Sequence, residues 1–217
     1  MNIRADFSQR AVVRPGDEPW QASPMAGVER QMLDRQGAEV ARATSVVRYA
    51  AGSRFAAHSH DLGEEFLVLE GTFSDEHGNY PTGTYVRNPP GSSHAPFSDD
   101  GCVIYVKLRQ FELADRARVV IDTTRTPWRQ GLVPGLSVMP LHEFEHEHVA
   151  LVRWAPGTVF QPHTHFGGEE IWVIDGVFED EFGAYPQGSW IRSPRMSRHH
   201  PFTKAGTTIL VKVGHLA

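Results

Sequence analysis

The chain is 217 residues long, 40% hydrophobic and 22% charged, with 20 Gly and 15 Pro; that suffices for one large core or two of about 100 residues each, with turns frequent enough to favour strands over long helices. Its 26 acidic and 21 basic residues leave a net charge of -5, which argues against charge-driven binding, so no direct nucleic-acid partner is expected. The polar start MNIRADFSQR has no signal-peptide core, and no later run reaches the roughly 18 apolar residues of a membrane span, so a cytoplasmic protein without membrane contact is expected.

In chain order, the segment RAVVRPGDEPW ending at Trp20 comes first, and DRQGAEVARA around Gly37 reads as a hairpin tip. ATSVVRYA, EEFLVLEGTF, GTYVRNP and CVIYVKL then read as short strands punctuated by Gly and Pro. The lone Cys102 lies in the last of these; it can form no internal disulfide and reads as a small buried side chain. From Arg118 the series restarts with RVVIDTTRTPW, the tip HEFEHEHVA, and the strands ALVRWA, EEIWVIDGVF, GSWIRSP and TILVKV. Set at an offset of 105, residues 52–108 and 157–213 are identical at 26 of 57 positions without a gap. Upstream the offset is 108, pairing Trp20 with Trp128 and Gly27 with Gly135, so the length difference falls in the hairpin tip. Two domains are therefore expected, 1–112 and 113–217, with no long linker between them. Short strands at regular spacing predict an all-β sandwich or barrel in each copy, and closure would remove exposed edges.

The stretch HSHDLGEEFLVLEGTF from His58 returns as HTHFGGEEIWVIDGVF from His163. Residues two apart on a strand share a face, so His58 with His60, and His163 with His165, can point together into a barrel mouth. Glu64 follows across a short turn and His94 arrives from another strand; Glu169 and His199 are their counterparts. Three imidazoles and a carboxylate make a mixed N/O donor set suited to a divalent metal, Zn, Fe, Mn or Ni, without the thiolates of a cysteine-type zinc site. Glu65 and Glu170 fall on the opposite strand face and are not expected to be ligands. The matched aromatics Tyr85 and Trp190 read as core or pocket wall. His200 aligns with Ala95 rather than with a ligand. Arg195 and Arg198 have no basic counterpart in the first copy, so an anion site beside the second quartet is one use for them. HEFEH at His142–His146 fits H-E-x-x-H, but that zinc-protease motif needs a helix, and the flanking sequence reads as a hairpin.

The spacing G-x5-H-x-H-x3-E-x6-G, complete from Gly52 to Gly71 and again from Gly157 to Gly176, resembles the first motif of the cupin superfamily. The second cupin motif runs from Gly83 through Pro89 and Gly91 to His94; Ser98 and Thr203 stand where the family places a closing Asn, and Met196 replaces the motif's Gly in the second copy. HSHDLGEEFLVLEG and NPPGSSHAPFSDDGC are more narrowly similar to the cupin-like domain of the ChrR family of anti-sigma factors. The resemblance implies a bicupin, two antiparallel jelly-roll β-barrels in one chain, with a zinc-binding role in sensing or small-molecule binding linked to anti-sigma-type regulation. The helical amino-terminal domain through which ChrR proteins contact a sigma factor finds no matching residues here, which puts a sigma-factor partner in doubt. The same cupin type is similar to Fe(II) dioxygenases that cleave diketones and hydroxyketones, so an enzyme is the alternative, with no catalytic residue assigned by the sequence. A small-molecule ligand is expected, and a homo-oligomer is compatible with the fold.

Overall fold

The structure is a computed structural model and describes residues 1–38 and 40–216; Glu39, in the expected hairpin tip, lies outside the described residues. Among the described residues every regular element is a strand, and no helix is long and apolar enough to cross a membrane. All strand pairings are antiparallel. The chain divides into two compact units that are not contiguous in sequence. Unit 1 comprises Met1–Ala5 and Glu18–Thr126; unit 2 comprises Asp6–Asp17 and Pro127–Ala217. Each unit therefore holds a segment from beyond residue 112 or before it, relative to the two-copy division of the sequence.

In unit 1 the main sheet runs through the strands Val28–Gly37, Ala41–Tyr49, Cys102–Leu108, Glu64–Asp75, Thr84–Asn88 and Val119–Asp122. Ala41–Tyr49 and Cys102–Leu108 are rich in Val, Ile and Tyr, residues whose branched or flat side chains pack well on a pleated surface. Val28–Gly37 and Ala41–Tyr49 form a hairpin that closes with Gly37 opposite Ala41. Phe66, Val68, Phe73, Val86, Ile104 and Val106 fill the barrel. Phe66 and Phe73 are each 1% exposed, a burial that stabilises by roughly 1.5–3 kcal/mol per side chain.

In unit 2 the equivalent path is Leu136–Phe144, Glu147–Trp154, Thr207–Val213, Glu169–Asp180, Trp190–Ser193 and, at its end, Ala11–Val13. Ile171, Val173, Phe178, Tyr185, Ile191 and Ile209 make its core. The HEFEH stretch forms a strand hairpin here, with Glu143 opposite His148 and Glu145 turning at a positive φ of 49°. The helix a protease motif requires is absent from this segment.

The matched glycines have a steric cause. Gly71 turns at φ 70°, and a Cβ there would lie 2.1 Å from the carbonyl oxygen of Gly101; at Gly176, φ 72°, it would meet Gly206 O at the same 2.1 Å. Only glycine admits that approach of two backbones. The turn ahead of each fourth histidine is also kept in both units, although its residue differs. Gly91 has φ 86° and Met196 φ 63°, and both amides donate 2.8 Å hydrogen bonds to the carbonyl of the second motif histidine, His60 or His165.

Candidate metal centres

A two-stranded ribbon presents the histidines in each unit. His58–His60 pairs with Ser92–His94, placing His94 directly opposite His58, and the period of two brings His60 onto the same face. His163–His165 and Ser197–His199 repeat the arrangement, with His163 opposite His199. The ring centroids of His58, His60 and His94 lie 4.8–5.0 Å apart; those of His163, His165 and His199 lie 4.5–4.9 Å apart. In both trios one ligand atom per residue falls within 4.8 Å of the others, and in unit 2 the carboxylate of Glu169 meets the same limit.

Glu64 and Glu169 open the long central strand of their unit and turn inward, as the alternation requires. Glu64 Oε2 lies 3.5 Å from both His60 Nε2 and His94 Nε2, and Asn88 Nδ2 donates to the same oxygen at 3.1 Å. Glu169 lies 3.5 Å from His165 Nε2 and 3.6 Å from His199 Nε2. Ser193 stands at the position of Asn88 in unit 2. Glu65 and Glu170, one residue on, point away into buried polar layers: Glu65 accepts from Tyr85 Oη at 2.8 Å and Arg87 at 2.6 Å, and Glu170 accepts from Trp190 Nε1 at 2.7 Å. Tyr85 and Trp190 are thus buried braces outside the ligand clusters.

The outer nitrogens are tied down. His58 Nδ1 and His163 Nδ1 lie 3.0 Å from the carbonyls of Ala56 and Gln161. His94 Nδ1 lies 3.1 Å from Asp75 Oδ2, and His199 Nδ1 3.6 Å from Asp180 Oδ2. These contacts fix the rings and aim Nε2 inward. Asp75 and Asp180 are anchored in turn by Tyr80 and Tyr185 hydroxyls at 3.0 and 2.9 Å. Arg10 adds a 2.8 Å pair to Asp180 and a 2.8 Å bond to Tyr185; Arg118 donates to Tyr80 at 2.9 Å. Motif reading alone passed over these partners, although Asp75/Asp180 and Tyr80/Tyr185 are identities at the 105 offset and Arg10/Arg118 at 108.

The electrostatics suit a cation. Burial is the largest influence on His165 and, with His199 and His163 beside it, depresses its pKa to about 3. Burial likewise pushes Glu169 up to about 7, against the opposing pull of His199. For His94, burial is outweighed by the Asp75 hydrogen bond and by Glu64, and its pKa is raised. His60 Nε2, His94 Nε2 and Glu169 Oε2 are buried without a hydrogen-bond partner, a costly state that one shared cation would relieve. His165 Nε2 and His199 Nε2 lie 3.0 Å apart, so both rings turn a nitrogen toward one point, closer together than the roughly 3.4 Å of two nitrogens in a tetrahedral shell of about 2.1 Å bonds. The residues present therefore fit a divalent metal in both units.

Ser98 and Thr203, in place of the motif's Asn, cross-brace the strands by donating to the Thr72 and Val177 carbonyls, both at 2.7 Å. His200 lies outside the cluster, its amide bonded to Glu181 at 2.8 Å. Arg195 and Arg198 are exposed; Arg195 borders a hollow of about 430 Å³ that His165 also touches. In unit 1 the quartet faces a larger cavity of about 660 Å³, whose walls include Val47, Tyr49, Phe55, Ile104, Val106 and Leu108.

The sequence profile of the ChrR cupin-like domain matches twice, over residues 8–112 and 116–217. No curated protein sequence matches the chain. Among solved structures, a Nostoc punctiforme protein proposed to be a dioxygenase superposes with a TM-score of 0.80 at 13% identity, covering 95% of this chain and 82% of that one. The protein YlbA from E. coli gives 0.72 at 17% identity, covering 96% and 92%. The E. coli pirin YhhW, in complex with nickel(II), gives 0.66 at 13%, covering 94% and 98%. At such identities the likeness establishes the fold alone, whereas the doubled profile match extends over nearly the whole chain. The all-β chain is a bicupin and belongs to the ChrR cupin-like domain family.

Proposed function

We propose that the chain is a metal-dependent, small-molecule-binding bicupin in which His58, His60, His94 and Glu64 hold one divalent ion and His163, His165, His199 and Glu169 hold another. Zinc is the proposed metal, because a compact set of three imidazoles and one carboxylate supplies the four donors of its preferred tetrahedral shell. The observation that carries the reading is the pair of buried, unpartnered Nε2 atoms of His60 and His94 at the edge of the 660 Å³ cavity. A metal there would supply Lewis acidity, and an oxygen-bearing ligand would join its shell as a fifth donor or in place of the Glu64 carboxylate. The chain's own part is to orient the imidazoles through Asp75 and the Ala56 carbonyl, to hold Glu64 through Asn88, and to offer the ligand the apolar wall of Val47, Phe55, Ile104, Val106 and Leu108. A role in ligand sensing of the anti-sigma type follows the family resemblance.

The second reading, an Fe(II) dioxygenase acting on a diketone-like or hydroxyketone-like compound, is favoured by a cavity roomy enough for such a substrate beside the ligands. One experiment separates the two. Metal content is measured after purification without added metal, then oxygen uptake is followed after iron loading with acetylacetone supplied. Stoichiometric zinc and no oxygen uptake are expected; sustained uptake with iron would replace the binding role by the dioxygenase.

A further inference from the structure

We propose that Tyr49 positions the ligand of unit 1, donating its phenolic O–H to a carbonyl, enolate or carboxylate oxygen of a small, largely apolar molecule, and that Trp154 at the equivalent place leaves unit 2 without such a ligand. The proposal rests on the reading of unit 1 as a small-molecule site.

Tyr49 ends the strand Ala41–Tyr49, opposite Cys102. Alternation puts Ala41, Val47 and Tyr49 on one face, and all three line the cavity that His58, His60, Glu64 and His94 also line. The Tyr49 ring packs edge-on to Phe73 and tilted against Phe55, both at 5.5 Å. Phe73 in turn lies 5.9 Å from His94, and Phe55 6.0 Å from His58. The phenol ring and two of the histidines thus share Phe55 and Phe73 as neighbours on the wall of one cavity. Tyr49 is 8% exposed, and among the described residues its hydroxyl finds no hydrogen-bond partner. A buried tyrosine ordinarily has one; Tyr49 lines the cavity, so an occupant of that cavity is the natural acceptor. Burial, reinforced by the negative charge of Glu64, holds the phenol proton well past the usual range, so Tyr49 acts as a donor and not as a base. Arg30 lines the same cavity and adds positive charge suited to an oxyanion-bearing ligand.

Unit 2 has lost both features. Trp154 takes the place of Tyr49 at the 105 offset, and Val138 that of Arg30 at 108. The Trp154 ring packs 5.9 Å from Phe178 and 6.3 Å from Phe160, and its Nε1, although also unpartnered, is fully enclosed, with no accessible surface for a ligand atom to approach. The candidate metal ligands repeat between the units, while the cavity-lining phenol and guanidinium of unit 1 are replaced by an enclosed indole and a valine.

The test uses the full chain loaded with cobalt(II) and titrated with acetylacetone, read through the visible d–d bands. One equivalent per chain is expected to saturate the response, which His163→Ala keeps and His58→Ala abolishes. Tyr49→Phe preserves the ring packing, so cobalt content, melting temperature and the spectrum without acetylacetone should be unchanged. Its acetylacetone affinity should fall about tenfold, the worth of one hydrogen bond. Imidazole, which coordinates through nitrogen and offers no oxygen to the phenol, should bind both proteins equally. Unchanged acetylacetone affinity in Tyr49→Phe overturns the Tyr49 assignment alone, as does equal weakening for acetylacetone and imidazole, which would mark a packing role. Two equivalents per chain overturn the difference between the units. No response from the unsubstituted protein overturns the small-molecule reading together with this proposal.

Discussion

His94 and His199 show how a candidate ligand is oriented by the carboxylate behind it. Each Nδ1 faces an aspartate, Asp75 or Asp180, that is itself held by a tyrosine hydroxyl and two backbone amides. Asp75→Asn or Asp180→Asn should weaken the metal of its own unit by about 10–100-fold, measured by competition with a chromophoric chelator. Glu169 carries a pH signature. Its pKa of about 7 in the folded metal-free protein lies above the ordinary 4.5, so the folded state binds this proton more tightly than the unfolded chain does. The ionised carboxylate then costs stability that sets in above about pH 4.5 and is fully felt above about pH 7. Glu169→Gln should therefore raise the melting temperature of the chelator-treated protein at pH 8 and leave it nearly unchanged at pH 4.5. The same variant should bind the unit 2 metal less tightly.

At the level of elements, the turn before the fourth histidine shows the same backbone accommodating two different residues. Met196 adopts the left-handed conformation that Gly91 adopts in the other copy. Sequence comparison marks the substitution without revealing whether the turn survives; the conserved 2.8 Å bond to His165 O shows that it does. A side chain in that conformation costs about 1–2 kcal/mol, against about 0.5–1 kcal/mol of added chain entropy for glycine. Met196→Gly should thus stabilise by about 0.5 kcal/mol or slightly more, and Gly91→Met should destabilise by about 1 kcal/mol, both read from urea titrations. The hairpin at HEFEH illustrates the converse. Its residues carry a helical metalloprotease pattern, yet His142, Glu143 and Phe144 pair across the hairpin with Val149, His148 and Glu147, so the histidines and glutamate never share a helical face.

Over the whole molecule, the repeat predicts two metals per chain. His58→Ala and His163→Ala should each remove one of them by elemental analysis, and chelation should lower the melting temperature because the buried imidazoles lose their shared partner. The partition into units adds an expectation that the order of the two copies hides. Arg10 lies early in the chain but braces Asp180 and Tyr185 of unit 2, while Arg118 braces Tyr80 of unit 1. Arg10→Ala should weaken the metal held by His163, His165, Glu169 and His199 and spare the other; Arg118→Ala should do the reverse. Site-resolved competition in the His58→Ala and His163→Ala backgrounds measures both.

The duplicated spacing of His, His, Glu and Gly, together with strand alternation, was enough to specify a two-barrel β fold, the eight candidate ligand positions and the outward turn of Glu65 and Glu170. These are local properties: a period of two, the steric demands of turns, and donor types at short range. Distance along the chain concealed the rest. Which carboxylate orients each fourth histidine, which arginine braces it, and that Tyr49 shares a cavity with Glu64 while Trp154 is packed among Phe160 and Phe178 are matters of contact between strands far apart in sequence. Only the closed barrels bring those strands together, because the burial and hydrogen-bond satisfaction that select one pairing exist only once the whole sheet has formed.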